Sequence, residues 1–204
     1  MSLAIALVAL QAAGPGTAVP VVLRNVSSLA TFDDYPTESL RNEEYGVVSV
    51  VVDVTPEGRA DGCTVTETSS HARLDQITCS IIKKRGQFEA ARDVNGAAVR
   101  GTYRTALSWG VSSHMPSVSM SLHLEVAQLP IAYVRPVKTR VLFDGLGRAT
   151  DCTTQATSGS PQADAAACRY IVAQSTIEPP RSGSGSKPVA VRFVVAALVP
   201  AVQR

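Results

Sequence analysis

The sequence has little of the material from which the more easily recognised protein classes are built. Of its 204 residues only 5% are aromatic and 18% charged, and the formal net charge is +2. Because the charges are few and scattered, they give no electrostatic basis for binding nucleic acid or an anionic membrane surface. Three histidines and four cysteines are too few and too dispersed for an obvious metal cage. The hydrophobic fraction of 45% is normal, which indicates a folded globular protein.

Long hydrophobic runs are missing as well. Residues 1–10 form an apolar run, but about ten residues are far short of the ~20 that a transmembrane helix needs, and no later segment is longer. The run is followed by small, turn-forming residues and is typical of a secretory signal with cleavage near Ala12 or Ala13. A buried N-terminal strand or a wrongly assigned start codon is the alternative. We therefore assign residues 1–20 to a signal peptide and flexible start, and expect no transmembrane helix in the chain.

The four cysteines form two pairs with the same spacing. Cys63 and Cys79 are 16 residues apart, and so are Cys152 and Cys168. This pattern indicates two equivalent disulfides, which persist in an oxidising compartment. Three pairings remain formally open, because spacing alone does not choose between them. A zinc site made of all four is the weaker alternative, since zinc ligands within a pair are typically separated by roughly two to four residues.

The equal spacing belongs to an internal repeat. The two halves of the sequence align without gaps at an offset of 89 residues, with about a dozen identities in some forty positions. Besides the cysteines, the identities include the turn residues Gly58 and Gly147 and the acidic residues Asp75 and Asp164. The sequence therefore predicts a tandem duplication and two small domains.

Each copy predicts a β-hairpin, then a helix, then a strand. In both, a β-branched run leads into a turn, and apolar residues later recur at helical spacing. The first copy has predicted strands at 45–54, 63–68 and 99–109 and a helix at 72–84; the second has strands at 139–143, 150–157 and 188–197 and a helix at 161–173. The predicted fold class is α+β, with each helix packed on an antiparallel sheet.

A further strand is predicted between the two copies. Apolar and polar residues alternate with period 2 over residues 118–126. The pattern leaves open whether this strand begins the sheet of the second copy or pairs with the first. Either arrangement packs the two copies closely together.

The first copy also carries a series of short motifs in a fixed order. They are Tyr35-Pro36, a helical segment at 38–41, a strand and turn over 46–59, segments 64–70 and 74–75, and Phe88–Arg92 before Gly96. Together they resemble the C-terminal domain of the TonB family over about residues 32–110. The second copy matches only through the internal repeat and lacks the Tyr-Pro element, so it looks like a degenerate domain of the same type. The predicted domains are therefore 28–112 and 113–200.

The resemblance implies a periplasmic protein-binding module of a Gram-negative bacterium. TonB C-terminal domains capture the N-terminal segment of an outer-membrane receptor, the TonB box, as an added β-strand in energised transport. Main-chain hydrogen bonds to a sheet edge supply affinity in such a mode with little demand on sequence. By analogy with the family, the partner-binding residues are Tyr35, Pro36, Thr102, Tyr103, Arg104, Thr105, Ala106, Leu107, Ser108 and Trp109.

Two other functions are less well supported by the sequence. A structural envelope protein could use the same fold for dimerisation, including formation of a homodimer. An enzyme is not expected, because the histidines His71, His114 and His123 have no counterpart histidine in the other copy and no nucleophile motif accompanies them. The loop 181–187 departs from the phosphate-binding pattern G-x-x-x-x-G-K-[ST] and precedes a strand. We accordingly expect no catalytic residues, cofactor or metal.

Overall fold

The computed structural model describes residues 17–25, 28–182 and 188–201. The expected signal sequence and its cleavage site near Ala12 or Ala13 lie outside the described residues, as does most of the loop 181–187. No helix in the described ranges is long and apolar enough to cross a membrane.

Twelve strands and three α-helices form in the part of the chain that the structure describes, and the sheets are mostly antiparallel. The strands are β1 (Thr17–Val19), β2 (Val22–Leu23), β3 (Gly46–Val54), β4 (Ala60–Glu67), β5 (Phe88–Glu89), β6 (Ala91–Asp93), β7 (Ala98–Val99), β8 (Gly101–Trp109), β9 (Ser119–Val126), β10 (Val137–Phe143), β11 (Ala149–Ala156) and β12 (Ala190–Pro200). The helices are α1 (Thr37–Arg41), α2 (Ala72–Arg85) and α3 (Pro161–Gln174), and a short 3₁₀ helix covers Phe32–Asp34. The predicted α+β class is confirmed.

We call β3, β4, β8 and α2 the first unit. The strands lie in the order β4-β3-β8, with β3 antiparallel to both neighbours. Alternate residues of β3 face the core, as a half-buried strand requires. The fully buried side chains of this core are Val48, Val50, Val52, Val54, Leu74 and Ile82. The apolar face of α2 thus closes one side of the sheet.

We call β10, β11, β12 and α3 the second unit. Its elements follow the same order as those of the first, and β11 and α3 begin and end 89 residues after β4 and α2. The strand register also recurs, since Val54 lies opposite Gly101 and Phe143 lies opposite Ala190. The two units are therefore built alike down to the pairing of individual residues.

A disulfide joins the hairpin to the helix in each unit. Cys63 of β4 is bonded to Cys79 of α2, and Cys152 of β11 to Cys168 of α3, with Cα–Cα distances of 5.7 and 5.5 Å. Of the three pairings that the sequence left open, the structure contains this one.

The loop before each helix is tied to an aspartate one turn inside it. The carboxylate of Asp164 accepts a 2.6 Å hydrogen bond from the Thr157 hydroxyl and a 2.9 Å bond from the Ser158 N–H. Asp75 accepts the same two bonds from the loop before α2. The repeated aspartates therefore fix the entry of the chain into each helix, a structural role.

The strand between the copies joins the second sheet. β9 runs parallel to β12, with Ser119 opposite Phe193 and Val126 opposite Pro200, and the strand order is β11-β10-β12-β9. In the described residues the first sheet has no fourth strand of this kind.

The chain joins the first unit earlier than the predicted boundary at residue 28. β1 pairs with β6 and β2 pairs with β5, both antiparallel. The side chains of Val21 and Leu23 are buried in the core of the first unit. Residues 17–23 are too short and irregular for period-2 patterning, which explains why the sequence did not predict these strands.

Candidate strand-binding groove

β8 contains the whole predicted partner-binding strand, from Thr102 to Trp109, and lies at one edge of its sheet. Its inner side is paired along its full length with β3. In the described residues no other strand pairs with its outer side. An edge of this kind presents main-chain donors and acceptors to a further strand.

A groove of about 370 Å³ runs along the C-terminal half of this edge. One wall consists of residues 105–110, and the other of the segment that leads into α1: Leu29, Ala30, Thr31, Phe32 and Tyr35. We call this space the strand groove. None of its lining side chains carries a charge, so it suits an uncharged, extended segment.

The structure brings Tyr35 to the end of β8. The Tyr35 ring meets the Trp109 ring edge to face at 5.2 Å, and its hydroxyl donates a 2.5 Å hydrogen bond to the carbonyl of Glu44. The indole N–H of Trp109 donates a 2.8 Å bond to the Thr78 hydroxyl on α2. Burial, together with the nearby Glu44 charge, raises the pKa of Tyr35 above its usual range. Both rings are therefore held in place where they line the groove.

Pro36 does not line the groove. It is half-buried and stands at the N-cap of α1. A proline restricts the preceding residue to extended backbone, so Pro36 sets the conformation of Tyr35. The Tyr-Pro element thus contributes one residue to the groove wall and one to its geometry.

Phe32 is a groove residue that the sequence reasoning missed. Its side chain is 73% exposed, in a short 3₁₀ helix where no periodicity marks it. The guanidinium of Arg85 holds that helix against α2 through two 2.7 Å hydrogen bonds to Asp34. These bonds, and one from the Thr31 N–H, lower the pKa of Asp34 to about 2. The exposed aromatic ring is therefore carried on an anchored segment.

The N-terminal end of β8 is partly covered by the second unit. The guanidinium of Arg140, on β10, donates a 3.1 Å hydrogen bond to the Arg104 carbonyl and lies 5.0 Å from the centre of the Tyr103 ring. Thr102, Tyr103 and Arg104 do not line the groove. Of the ten predicted partner-binding residues, Tyr35 and 105–109 line the groove, whereas Pro36 and 102–104 do not.

The three histidines lie in different surroundings. His71 is 4.0 Å from Glu44, His114 stacks on the Tyr45 ring at 4.2 Å, and His123 is exposed on β9. Over the described residues, no three His, Cys, Asp or Glu side chains are grouped so that they could hold a metal ion.

The sequence of this region was compared with known proteins. Residues 33–111 match the family model of the Gram-negative bacterial TonB protein C-terminal domain. The first unit is therefore a TonB C-terminal-like domain, and the match includes every residue of α1, α2 and β3–β8. Domains of this family are periplasmic protein-interaction domains without enzymatic activity. The match ends before the second unit begins. No curated protein and no solved structure gave a significant match.

Proposed function

We propose that this protein is a periplasmic binding protein that takes an extended segment of a partner protein as an added strand on β8. The observation that carries the proposal is the strand groove, which lies along an unpaired sheet edge inside the TonB C-terminal-like domain. Main-chain hydrogen bonds to β8 would supply most of the affinity, and the groove walls would select the side chains.

The pairing of β8 indicates which residues would bind the added strand. The Arg104 backbone faces away from β3, because its counterpart Phe193, 89 residues later, donates its N–H to the Val118 carbonyl beside β9 and so faces away from β10, and the two strand pairs share one register. Since backbone groups of successive strand residues point to opposite sides, Ala106 and Ser108 face outward as well. Those two residues lie within the groove, and their N–H and C=O groups are the proposed anchor points.

The chemistry of the groove favours a particular kind of partner. Its lining is uncharged and combines apolar side chains, including the exposed Phe32 ring, with the hydroxyls of Thr31 and Ser108. The family resemblance makes the N-terminal segment of a TonB-dependent outer-membrane receptor the partner that we propose. The proposed role is then in energised transport, with export directed by a signal peptide within residues 1–20.

We further propose that the second unit is a degenerate TonB C-terminal-like domain that arose by duplication. Its support is the shared order of elements, strand register and disulfide position at the offset of 89 residues. The proposed domains are then 17–112 and 113–200, with the first extended to include β1 and β2.

A structural or dimerising envelope protein is the second candidate. The observation in its favour is Arg140, which covers the N-terminal end of β8 and so shortens the edge that is open to a partner. In this alternative the groove would receive a second copy of the chain, and the protein would form a homodimer without any receptor.

The test uses a proline at one of the proposed anchor points. Ser108→Pro removes an outward-facing N–H but none of those paired with β3, and Ser108→Ala is the control that keeps the N–H. Labelled peptides from the N-termini of outer-membrane receptors are titrated with each protein and followed by fluorescence anisotropy. We expect Ser108→Pro to weaken binding by about fivefold relative to Ser108→Ala, the loss of one hydrogen bond of about 1 kcal/mol. Absence of binding by the folded wild type, or equal binding by both variants, would contradict the proposal; a concentration-dependent dimer would then favour the alternative.

A further inference from the structure

β9 lies in the second unit where the strand groove lies in the first. β9 pairs with residues 193–200 of β12. Subtracting the repeat offset of 89 residues from 193–200 gives 104–111. This range includes residues 105–110, which line the strand groove in the first unit. The outer edge of β12 is thus filled by a strand of the same chain, whereas in the described residues no strand pairs with the matching edge of β8.

Two backbone hydrogen bonds, one at each end of the pairing, show which residues of β12 face β9. The Phe193 N–H donates to the Val118 carbonyl at 2.7 Å, and the Ala201 N–H donates to the Val126 carbonyl at 2.9 Å. Backbone groups alternate in direction along a strand, so odd-numbered amides of β12 face β9, and even-numbered ones face β10. By the same reasoning, even-numbered residues of β9 face β12.

The side chains of β9 are less deeply buried in the core of the second unit than side chains of β10 and α3. Met120, Leu122 and Leu124 pack against this core but are only half-buried. In contrast, Val141, Phe143 and Ile171 are fully buried, and they come from β10 and α3. On its other face β9 exposes Ser119, Ser121, His123 and Glu125. These most deeply buried side chains of the second core therefore come from elements other than β9.

We infer that β9 is a built-in occupant of a second strand-binding edge on β12. While β9 is docked it occupies this edge of β12, so of the two matching edges only that of β8 is without a strand in the described residues. The inference concerns β12 and does not depend on which partner, if any, binds β8.

The test separates the docking of β9 from the folding of the second unit. Leu122→Pro, in the full chain, removes an N–H that faces β12, and His123→Pro is the matched control because its N–H faces away from β12. Amide hydrogen exchange is measured at Phe193, Val195 and Ala197, which face β9, and at Val194 and Ala196, which face β10. In Leu122→Pro we expect the three odd-numbered amides to exchange at least about tenfold faster than in wild type, with the even-numbered amides unchanged. His123→Pro should leave both sets as in wild type.

A peptide then tests whether the emptied edge accepts a strand. A synthetic peptide of residues 117–127 is added to each protein, and we expect it to restore protection of the odd-numbered amides in Leu122→Pro and to leave those of the wild type unchanged. Loss of protection at both sets would make β9 an integral strand of the sheet and overturn the inference. Unchanged odd-numbered amides in Leu122→Pro, or an emptied edge that the peptide does not protect, would overturn it equally.

Should Leu122→Pro disturb the fold, a milder variant gives the same comparison. Met120→Ala/Leu124→Ala trims two half-buried side chains and keeps every backbone donor. Its odd-numbered amides should again exchange faster than the even-numbered ones, and equal acceleration of both sets would contradict a separable strand.

Discussion

Arg192 of the second unit donates two hydrogen bonds, of 2.8 and 2.7 Å, to the carboxylate of Glu67 in the first. The two side chains are only 12% and 8% exposed. Glu67 also accepts a 2.5 Å bond from the Ser49 hydroxyl, which in turn accepts one from the Val191 N–H at 3.0 Å. The two units are therefore joined by a buried polar network.

This network predicts that single and paired substitutions differ. Glu67→Ala or Arg192→Ala leaves one buried charge without its partner and should lower the free energy of unfolding by roughly 3–5 kcal/mol. Glu67→Leu/Arg192→Met removes both charges and should cost much less. Urea denaturation measures all three, and single variants as stable as the wild type would show that the ion pair does not couple the units.

The stability of the second unit should depend on pH through Asp164. Burial raises the pKa of this carboxyl, but hydrogen bonds from Ser158 and Thr157 outweigh it and hold the pKa below its ordinary value of 3.8. A lowered pKa stabilises the folded state above that ordinary value, and the stabilisation disappears as the pH falls through the folded pKa. Asp164→Asn should therefore lose about 1–3 kcal/mol at pH 7, and the difference should shrink below about pH 4. Thermal unfolding across this range checks it, with the exposed Glu178→Gln as control; a constant difference would contradict the assignment.

The two disulfides should make similar contributions to stability. Each closes a loop with the same sequence separation of 16 residues. The chain-entropy estimate for a loop of that size is about 3 kcal/mol. Cys63→Ala/Cys79→Ala and Cys152→Ala/Cys168→Ala should each lower stability by about that amount in denaturant unfolding. Loss confined to one of the two variants would show that only one disulfide constrains its unit.

Removal of Arg140 should lengthen the open part of β8. Arg140→Ala frees the Arg104 carbonyl and uncovers the Tyr103 ring. Peptides that extend past Arg104 should then bind more tightly to this variant than to the wild type, whereas peptides confined to the groove should be unaffected. A gain of one hydrogen bond is about 1 kcal/mol, or about fivefold in affinity, measured by calorimetry. Weaker binding of both classes would mean that Arg140 supports the groove instead of limiting it.

The sequence predicts the local elements well because the signals for them are local. The period-2 valines of β3, the helical spacing in α2 and the cysteine pairs all reflect burial within one unit. The individual contacts that join the two units were not predicted. Glu67 and Arg192 are 125 residues apart, and neither has a local pattern that marks a partner.

In the candidate site, too, the residues with a local sequence signal were predicted and those without one were not. The predicted strand and Tyr35 do meet in the groove, whereas Phe32 and Arg140 were missed. Phe32 lies in an irregular segment, and Arg140 belongs to the other unit. The pairing of β9 with β12 was left open because an alternating strand is compatible with either sheet.

Site-resolved amide hydrogen exchange can show, residue by residue, whether β8 receives a partner strand. The full chain is measured with and without the tightest-binding receptor N-terminal peptide, at the outward-facing amides of Ala106 and Ser108 and at those of Thr105 and Leu107, which are paired with β3. We expect the peptide to slow exchange at Ala106 and Ser108 by at least about tenfold and to leave Thr105 and Leu107 unchanged. Binding that leaves Ala106 and Ser108 unprotected, or a panel in which no receptor segment binds, would contradict it.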